Sequence, residues 1–156
     1  MTYFLLKTVH ILSATVLFGT GIGTAFQMWR AHLSGDSRAI ASTARSVVVA
    51  DWLFTTPAIV IQPLTGVALA HMAGIDLLSP WILASLGLYV LAGAFWLPVV
   101  WLQLRVRDLA GKAVIENSPL PESYFRYMRI WFALGWPAFL SLIVIFWLMV
   151  ARPELW

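Results

Sequence analysis

Residues 3–28 have the sequence YFLLKTVHILSATVLFGTGIGTAFQM, which is predominantly apolar over the length of a membrane-spanning helix. A hydrocarbon core about 30 Å thick needs about 20 helical residues, since each adds about 1.5 Å. The block has no basic leader and no convincing cleavage site. We therefore interpret it as a mature transmembrane helix rather than a signal peptide.

Three further blocks of membrane length follow, at about residues 47–72, 80–104 and 128–150. The 156-residue chain is 61% hydrophobic and 11% charged, whereas roughly a quarter of the residues in a soluble domain are charged. We predict an all-α fold, a four-helix transmembrane bundle that forms a single integral membrane domain over residues 1–156. The chain has no cysteine, which excludes disulfides, iron–sulfur clusters and thiolate metal sites.

The distribution of basic residues predicts the orientation of this bundle. Four antiparallel spans place the linkers 30–46 and 105–129 on one side of the membrane and both termini on the other. The linker side carries most of the ten Lys and Arg residues, namely Arg30, Arg38, Arg45, Arg105, Arg107, Lys112, Arg126 and Arg129. By the positive-inside rule we predict cytoplasmic linkers, with the N-terminus and C-terminus on the outer (periplasmic) side of a bacterial inner (plasma) membrane. Because these cations lie beside membrane helices, we expect no nucleic acid partner.

Aromatic and acidic residues also fall at the predicted linker side of the spans. Trp52 and Trp131 are placed where an aromatic belt is expected. Asp51 lies near the start of the second span, and we predict that its carboxylate pairs with Arg105 or Arg30.

Lys7 and His10 lie three residues apart in the first block and therefore share one helix face. A neutral imidazole at this depth can ligate haem iron or another metal, relay protons or hydrogen-bond a neighbouring helix. Haem needs only one or two axial ligands, whereas a closed zinc site needs four. Small residues such as Ala14 and Gly21 continue the face, and either let helices approach closely or leave a flat recess for a planar ligand. Lys7 either extends to the headgroups or balances a bound carboxylate such as a porphyrin propionate.

Two polar residues of the second block are within reach of the same region. His71 returns to the side of the membrane where His10 lies, so it is either a second haem ligand or an interfacial histidine. Gln62 lies near mid-membrane and either hydrogen-bonds the first helix or lines a ligand cavity. Pro63 removes a backbone donor and frees the carbonyl of Ile59, which needs another partner in lipid.

The segments LLKTVHILSATVLFGTGIGTAFQMWRAH, DWLFTTPAIVIQPLTGVAL and WLPVVWLQLRVRDLA resemble an uncharacterised family of four-helix bacterial inner-membrane proteins. The resemblance covers essentially the whole chain. That family is distantly similar to the HemJ-type protoporphyrinogen oxidases and to the CopD-like copper-resistance membrane proteins. In the HemJ-type enzymes a K-x-x-H histidine in the first helix is implicated in haem b binding, and Lys7-Thr8-Val9-His10 matches this pattern. Those enzymes also rely on a lysine in the third helix, which the block 80–104 lacks, so the resemblance implies haem binding rather than porphyrinogen oxidation.

The resulting hypothesis is a haem-b-binding inner-membrane redox protein with His10 as axial ligand. Lys7, Gln62 and His71 are further candidate cofactor-binding residues, and His10 and His71 are the candidate metal ligands. If the protein is an enzyme, we expect a haem-dependent membrane oxidoreductase. Its expected partners are the lipid bilayer and a quinone, a porphyrin or an electron-transfer protein, and a homo-oligomer is left open. Two alternatives also stay open: a non-enzymatic membrane scaffold or accessory subunit, and a copper-handling or small-solute transport protein.

Overall fold

The computed structural model describes residues 1–155, and Trp156, the last residue of the predicted domain, lies outside the described residues. The helices are α1 (Thr2–Ser34), α2 (Ser37–Ala50), α3 (Thr56–Met72), α4 (Pro80–Ile115) and α5 (Glu122–Ala151). A π turn, Asp51–Thr55, joins α2 to α3 in one continuous helix. Within the described chain, four helices are long and apolar enough to cross a membrane when α2 and α3 are taken together. The predicted all-α four-helix transmembrane bundle is therefore confirmed.

Much of the two predicted linkers is helical. The helix α1 runs on to Ser34 and α4 runs on to Ile115, so both extend well beyond the apolar blocks. Between α1 and α2 the chain reverses at Gly35, whose φ of 66° is a left-handed conformation that glycine adopts without strain. The side chain of Asp36 then caps α2, because its carboxylate accepts a hydrogen bond from Arg38 N at 2.8 Å.

The helices alternate in direction, so the bundle has two distinct ends. We call one the terminal end (residues 1, 73–79 and 152) and the other the linker end (residues 35–36 and 116–121). At the terminal end the guanidinium of Arg152 lies over the ring of Trp81, 5.5 Å from its centroid. At the linker end the Nδ1 atom of His32 lies 3.0 Å from the hydroxyl of Tyr124. The start of α5 thus packs beside the end of α1.

The tightest packing lies in the half of the bundle next to the linker end. Buried residues of α1, α2, α4 and α5 form one apolar cluster there. Small side chains let the helices approach closely, among them Ala31, Ala41, Ala44 and Ala110. Trp131 is only 7% exposed and packs inside this cluster, whereas Trp52 is exposed.

The half next to the terminal end consists of two helix pairs, α1 with α3 and α4 with α5. No Cα of α3 lies within 8 Å of a Cα of α4, and both helices are described throughout. Side chains near the middle of the helices bridge the two pairs. The ring of Phe18 stacks on that of Phe139 with centroids 4.7 Å apart, and the hydroxyl of Tyr89 donates to the carbonyl oxygen of Ile59 at 2.5 Å. The helices α3 and α4 are therefore linked through a side chain rather than through close backbone contact, whereas Cα atoms of α1 and α5 do approach within 8 Å.

The bond from Tyr89 replaces the backbone donor that Pro63 lacks. We predict that Tyr89→Phe lowers the free energy of unfolding by about 1–3 kcal/mol, because the carbonyl of Ile59 is then left unpaired in a water-free environment. Reversible unfolding in SDS, followed by circular dichroism, measures this change. Tyr127→Phe is the matched control, since the hydroxyl of Tyr127 has no hydrogen-bond partner within the described chain.

A comparison of Tyr89→Phe in the wild-type protein and in a Pro63→Ala variant separates the contribution of this hydrogen bond from that of the packing of the tyrosine ring. In Pro63→Ala the restored N–H at position 63 pairs with the carbonyl of Ile59, so Tyr89→Phe should cost less than in the wild type. Equal costs in the two backgrounds contradict the assignment.

Candidate functional site

The contact between α1 and α3 contains a cluster of four polar side chains, which we call the His10 cluster: His10, Ser13, Gln62 and Thr65. The Nδ1 atom of His10 lies 2.7 Å from the hydroxyl oxygen of Thr65. The amide nitrogen of Gln62 donates to the carbonyl oxygen of His10 at 2.7 Å and to the hydroxyl oxygen of Ser13 at 2.6 Å. Ser13 and Thr65 are buried, while His10 and Gln62 are partly exposed. The polar groups of the two helices therefore satisfy one another within the contact.

The hydrogen-bond network assigns the tautomer of His10. The hydroxyl oxygen of Thr65 lies 2.6 Å from the carbonyl oxygen of Ile61 and 3.2 Å from that of Gln62, and a carbonyl oxygen can only accept a hydrogen bond. We assign the hydroxyl proton of Thr65 to the bond with Ile61, so that the oxygen of Thr65 accepts from His10 Nδ1–H. This leaves the lone pair on Nε2 of the neutral ring. Histidine ligands of metals are commonly oriented in this way, by a donor bond from the other ring nitrogen.

Glycines on the two helices have different roles around His10. A Cβ atom added to Gly66 would lie 3.3 Å from Cε1 of His10, so glycine at this position lets the imidazole lie against the backbone of α3. A Cβ atom at Gly19, Gly21 or Gly23 would meet nothing within 4 Å in the described chain. Gly19, Gly21 and Gly23 thus do not mediate close helix contact inside the bundle, and all three are exposed on the surface of α1.

The structure brings together two of the four predicted cofactor-binding residues. His10 and Gln62 meet in the His10 cluster, where Gln62 is engaged with α1. Lys7 is exposed one turn closer to the terminal end. His71 is also exposed and lies six residues beyond Thr65, about 9 Å along the helix axis.

Two members of the cluster, Ser13 and Thr65, were not among the predicted site residues. Ser13 and Thr65 each lie three residues after a predicted member of the site, and therefore on the same helix face. This spacing was the available signal.

The side chains around His10 limit which metal ion or cofactor could bind there. Within the described residues no group of three or more His, Asp or Glu side chains could hold a metal ion. A closed zinc site needs four ligands, whereas haem iron can be held by a single histidine. The His10 cluster itself contains a single imidazole and no carboxylate.

The long apolar helices and the polar contact between them define a multi-pass integral membrane protein whose helices contact the lipid bilayer. The chain belongs to the family described as predicted integral membrane protein (DUF2269), whose model matches residues 4–153. No curated protein and no solved structure matches the chain.

We predict that Thr65→Val destabilises the bundle by about 0.6 kcal/mol and by no more than about 1.7 kcal/mol, the mean and the maximum measured for hydrogen bonds between membrane helices. Valine keeps the shape of threonine but removes the acceptor for His10 Nδ1. Thr8→Val and Thr15→Val are matched controls, because each hydroxyl bonds only to the carbonyl four residues earlier in α1. Unfolding in SDS measures all three variants. Equal losses in the three would contradict a role for Thr65 in joining α1 to α3.

Proposed function

We propose that this protein is a haem-b-binding redox protein of the bacterial inner membrane, with His10 as axial ligand. The observation that carries the proposal is the 2.7 Å distance between His10 Nδ1 and the hydroxyl oxygen of Thr65, because the Nδ1–H tautomer assigned to this contact leaves Nε2 as the basic nitrogen. Haem b supplies one-electron redox chemistry when it is bound.

The residues around His10 have separate parts in this proposal. Thr65 holds the ring in one tautomer, and Gln62 fixes the backbone that carries the ring through its bond to the carbonyl of His10. Both are positioning residues. Lys7 lies on the same face one turn nearer the terminal end, where an ammonium group would balance a propionate carboxylate. A second ligand from His71 requires the end of α3 to move, since Thr65, not His71, meets His10.

The surroundings of His10 also support a planar apolar ligand. The backbones of α3 and α4 are not in close contact, and Gly19, Gly21 and Gly23 are exposed on the surface of α1. A tetrapyrrole needs a flat space beside its axial ligand, and small residues provide such a space at little cost in packing.

A non-enzymatic scaffold or accessory subunit is the second candidate. It is favoured by the mutual pairing of the four polar groups in the His10 cluster, which by itself gives His10 a role in joining α1 to α3. Absorption spectroscopy distinguishes the two, because only the first requires a pigment.

Protein produced with an ample haem supply and purified in mild detergent should show a Soret band. We predict that His10→Gly loses this band and that added imidazole restores it, because free imidazole can replace the missing ligand. His71→Gly is the matched control and should keep the band.

Circular dichroism of each variant shows whether the fold is retained. A colourless, folded wild-type protein contradicts the haem proposal and favours the scaffold. A Soret band that persists in His10→Gly without imidazole contradicts the assignment of His10.

The proposed orientation places the terminal end on the periplasmic side, because the linker end carries most of the cations. The chain has no cysteine, so single cysteines report directly on sidedness. We predict that Leu78→Cys reacts with a membrane-impermeant maleimide in intact cells. Glu116→Cys, at the opposite end of the bundle, should react only after the inner membrane is opened. The reverse pattern contradicts the orientation.

A further inference from the structure

A second polar cluster lies in the half of the bundle next to the linker end, away from His10. The carboxylate of Asp51 accepts a hydrogen bond from the hydroxyl of Thr55 at 2.8 Å and another from the amide nitrogen of Gln103 at 2.7 Å. All three residues are buried. Asp51 makes no ion pair within the described chain, so its predicted pairing with Arg105 or Arg30 is wrong.

The amide of Gln103 leaves one of its polar atoms without a protein partner. Because Nε2 donates to Asp51, Oε1 points to the other side of the amide, where it is buried and accepts no hydrogen bond from the described residues. The indole Nε1 of Trp131 is likewise buried and has no acceptor there. Each of the two side chains is only 7% exposed. One atom is an acceptor and the other a donor, so their requirements are complementary.

Both side chains line the same cavity, which has a volume of about 10 Å³. The remaining lining is apolar and is provided by Met28, Ala44, Val47, Val106 and Met128. A single water molecule needs about 10–15 Å³ on this measure, so the cavity is at the lower limit for one water. Its size excludes any larger ligand.

We propose that this cavity is a binding site for one water molecule, which accepts a hydrogen bond from Trp131 Nε1 and donates one to Gln103 Oε1. The N–H of Trp131 disfavours a cation at this position, and the nearby carboxylate and amide oxygen disfavour an anion. The water joins Asp51, through Gln103, to α5. This site is independent of the proposed haem ligation at the other half of the bundle.

The water also selects the orientation of the amide of Gln103. Rotation of that amide by half a turn would exchange its oxygen and nitrogen, and would place the oxygen against the carboxylate of Asp51. A water that donates to Oε1 favours the orientation in which Nε2 faces Asp51. The water is therefore part of the structure that holds the carboxylate of Asp51 within the bundle.

Nuclear magnetic resonance of the full chain tests this site. The protein is labelled with ¹⁵N-tryptophan in a deuterated detergent, and Trp131→Phe identifies the indole signal of Trp131. We expect a cross-peak between the indole proton of Trp131 and water in wild-type protein. The indole signal of Trp136 is compared with that of Trp131. Trp136 is 64% exposed on the outside of the described bundle, so its indole faces the detergent. A resolved Trp131 signal without a water cross-peak overturns the proposal.

A cavity-filling variant locates the water. Ala44→Leu places an apolar side chain in the cavity and should abolish the cross-peak, while Ala39→Leu makes the same change on α2 outside the cavity lining and should keep it. Ala44→Val is the smaller alternative if leucine prevents folding. A cross-peak that persists in a folded Ala44 variant overturns this location of the water.

Discussion

A polar group in the hydrocarbon core of a membrane must find its partner inside the protein, since no solvent is available to it. Pro63 shows how this constraint shapes the bundle. The proline leaves the carbonyl of Ile59 without its helical donor, and the donor comes from Tyr89 on α4. The bond spans two helices whose backbones are not in close contact. The donor that is missing within α3 is thus supplied by a contact between two helices.

The same constraint explains why the two halves of the bundle are held together differently. Burial of apolar side chains gives little net attraction between helices in lipid, because the lipid tails are equally apolar. Next to the linker end, alanines allow close packing, and the chain forms one continuous cluster. Next to the terminal end, the contact of α1 with α3 contains hydrogen bonds of His10, Gln62 and Thr65 instead.

The arrangement of helices could be predicted from the sequence because it depends on the length of apolar runs. The partners of individual polar groups could not. Charge alone suggested Arg105 or Arg30 for Asp51, but the guanidinium of Arg105 lies over the ring of Trp101, 5.2 Å from its centroid. A long basic side chain can reach the headgroups, whereas Gln103 is already at the depth of Asp51. The bond to Thr55 was foreseeable, since four residues separate the pair on one helix.

The π turn explains why one continuous helix serves two different neighbours. In a regular α-helix, which turns by about 100° per residue, Asp51, Thr55, Gln62 and Thr65 would lie on nearly the same face. In the structure, Asp51 binds Gln103 of α4, and Thr55 binds the carboxylate of Asp51. Gln62 and Thr65 instead bind His10 of α1. A π turn contains more residues per turn, and therefore rotates the following residues relative to a regular helix. Because the π turn lies immediately before α3, Asp51 and Thr55 face a different neighbour from the residues of α3 that belong to the His10 cluster. A uniform helical period omits that rotation and would place all four of these residues on one face of the helix.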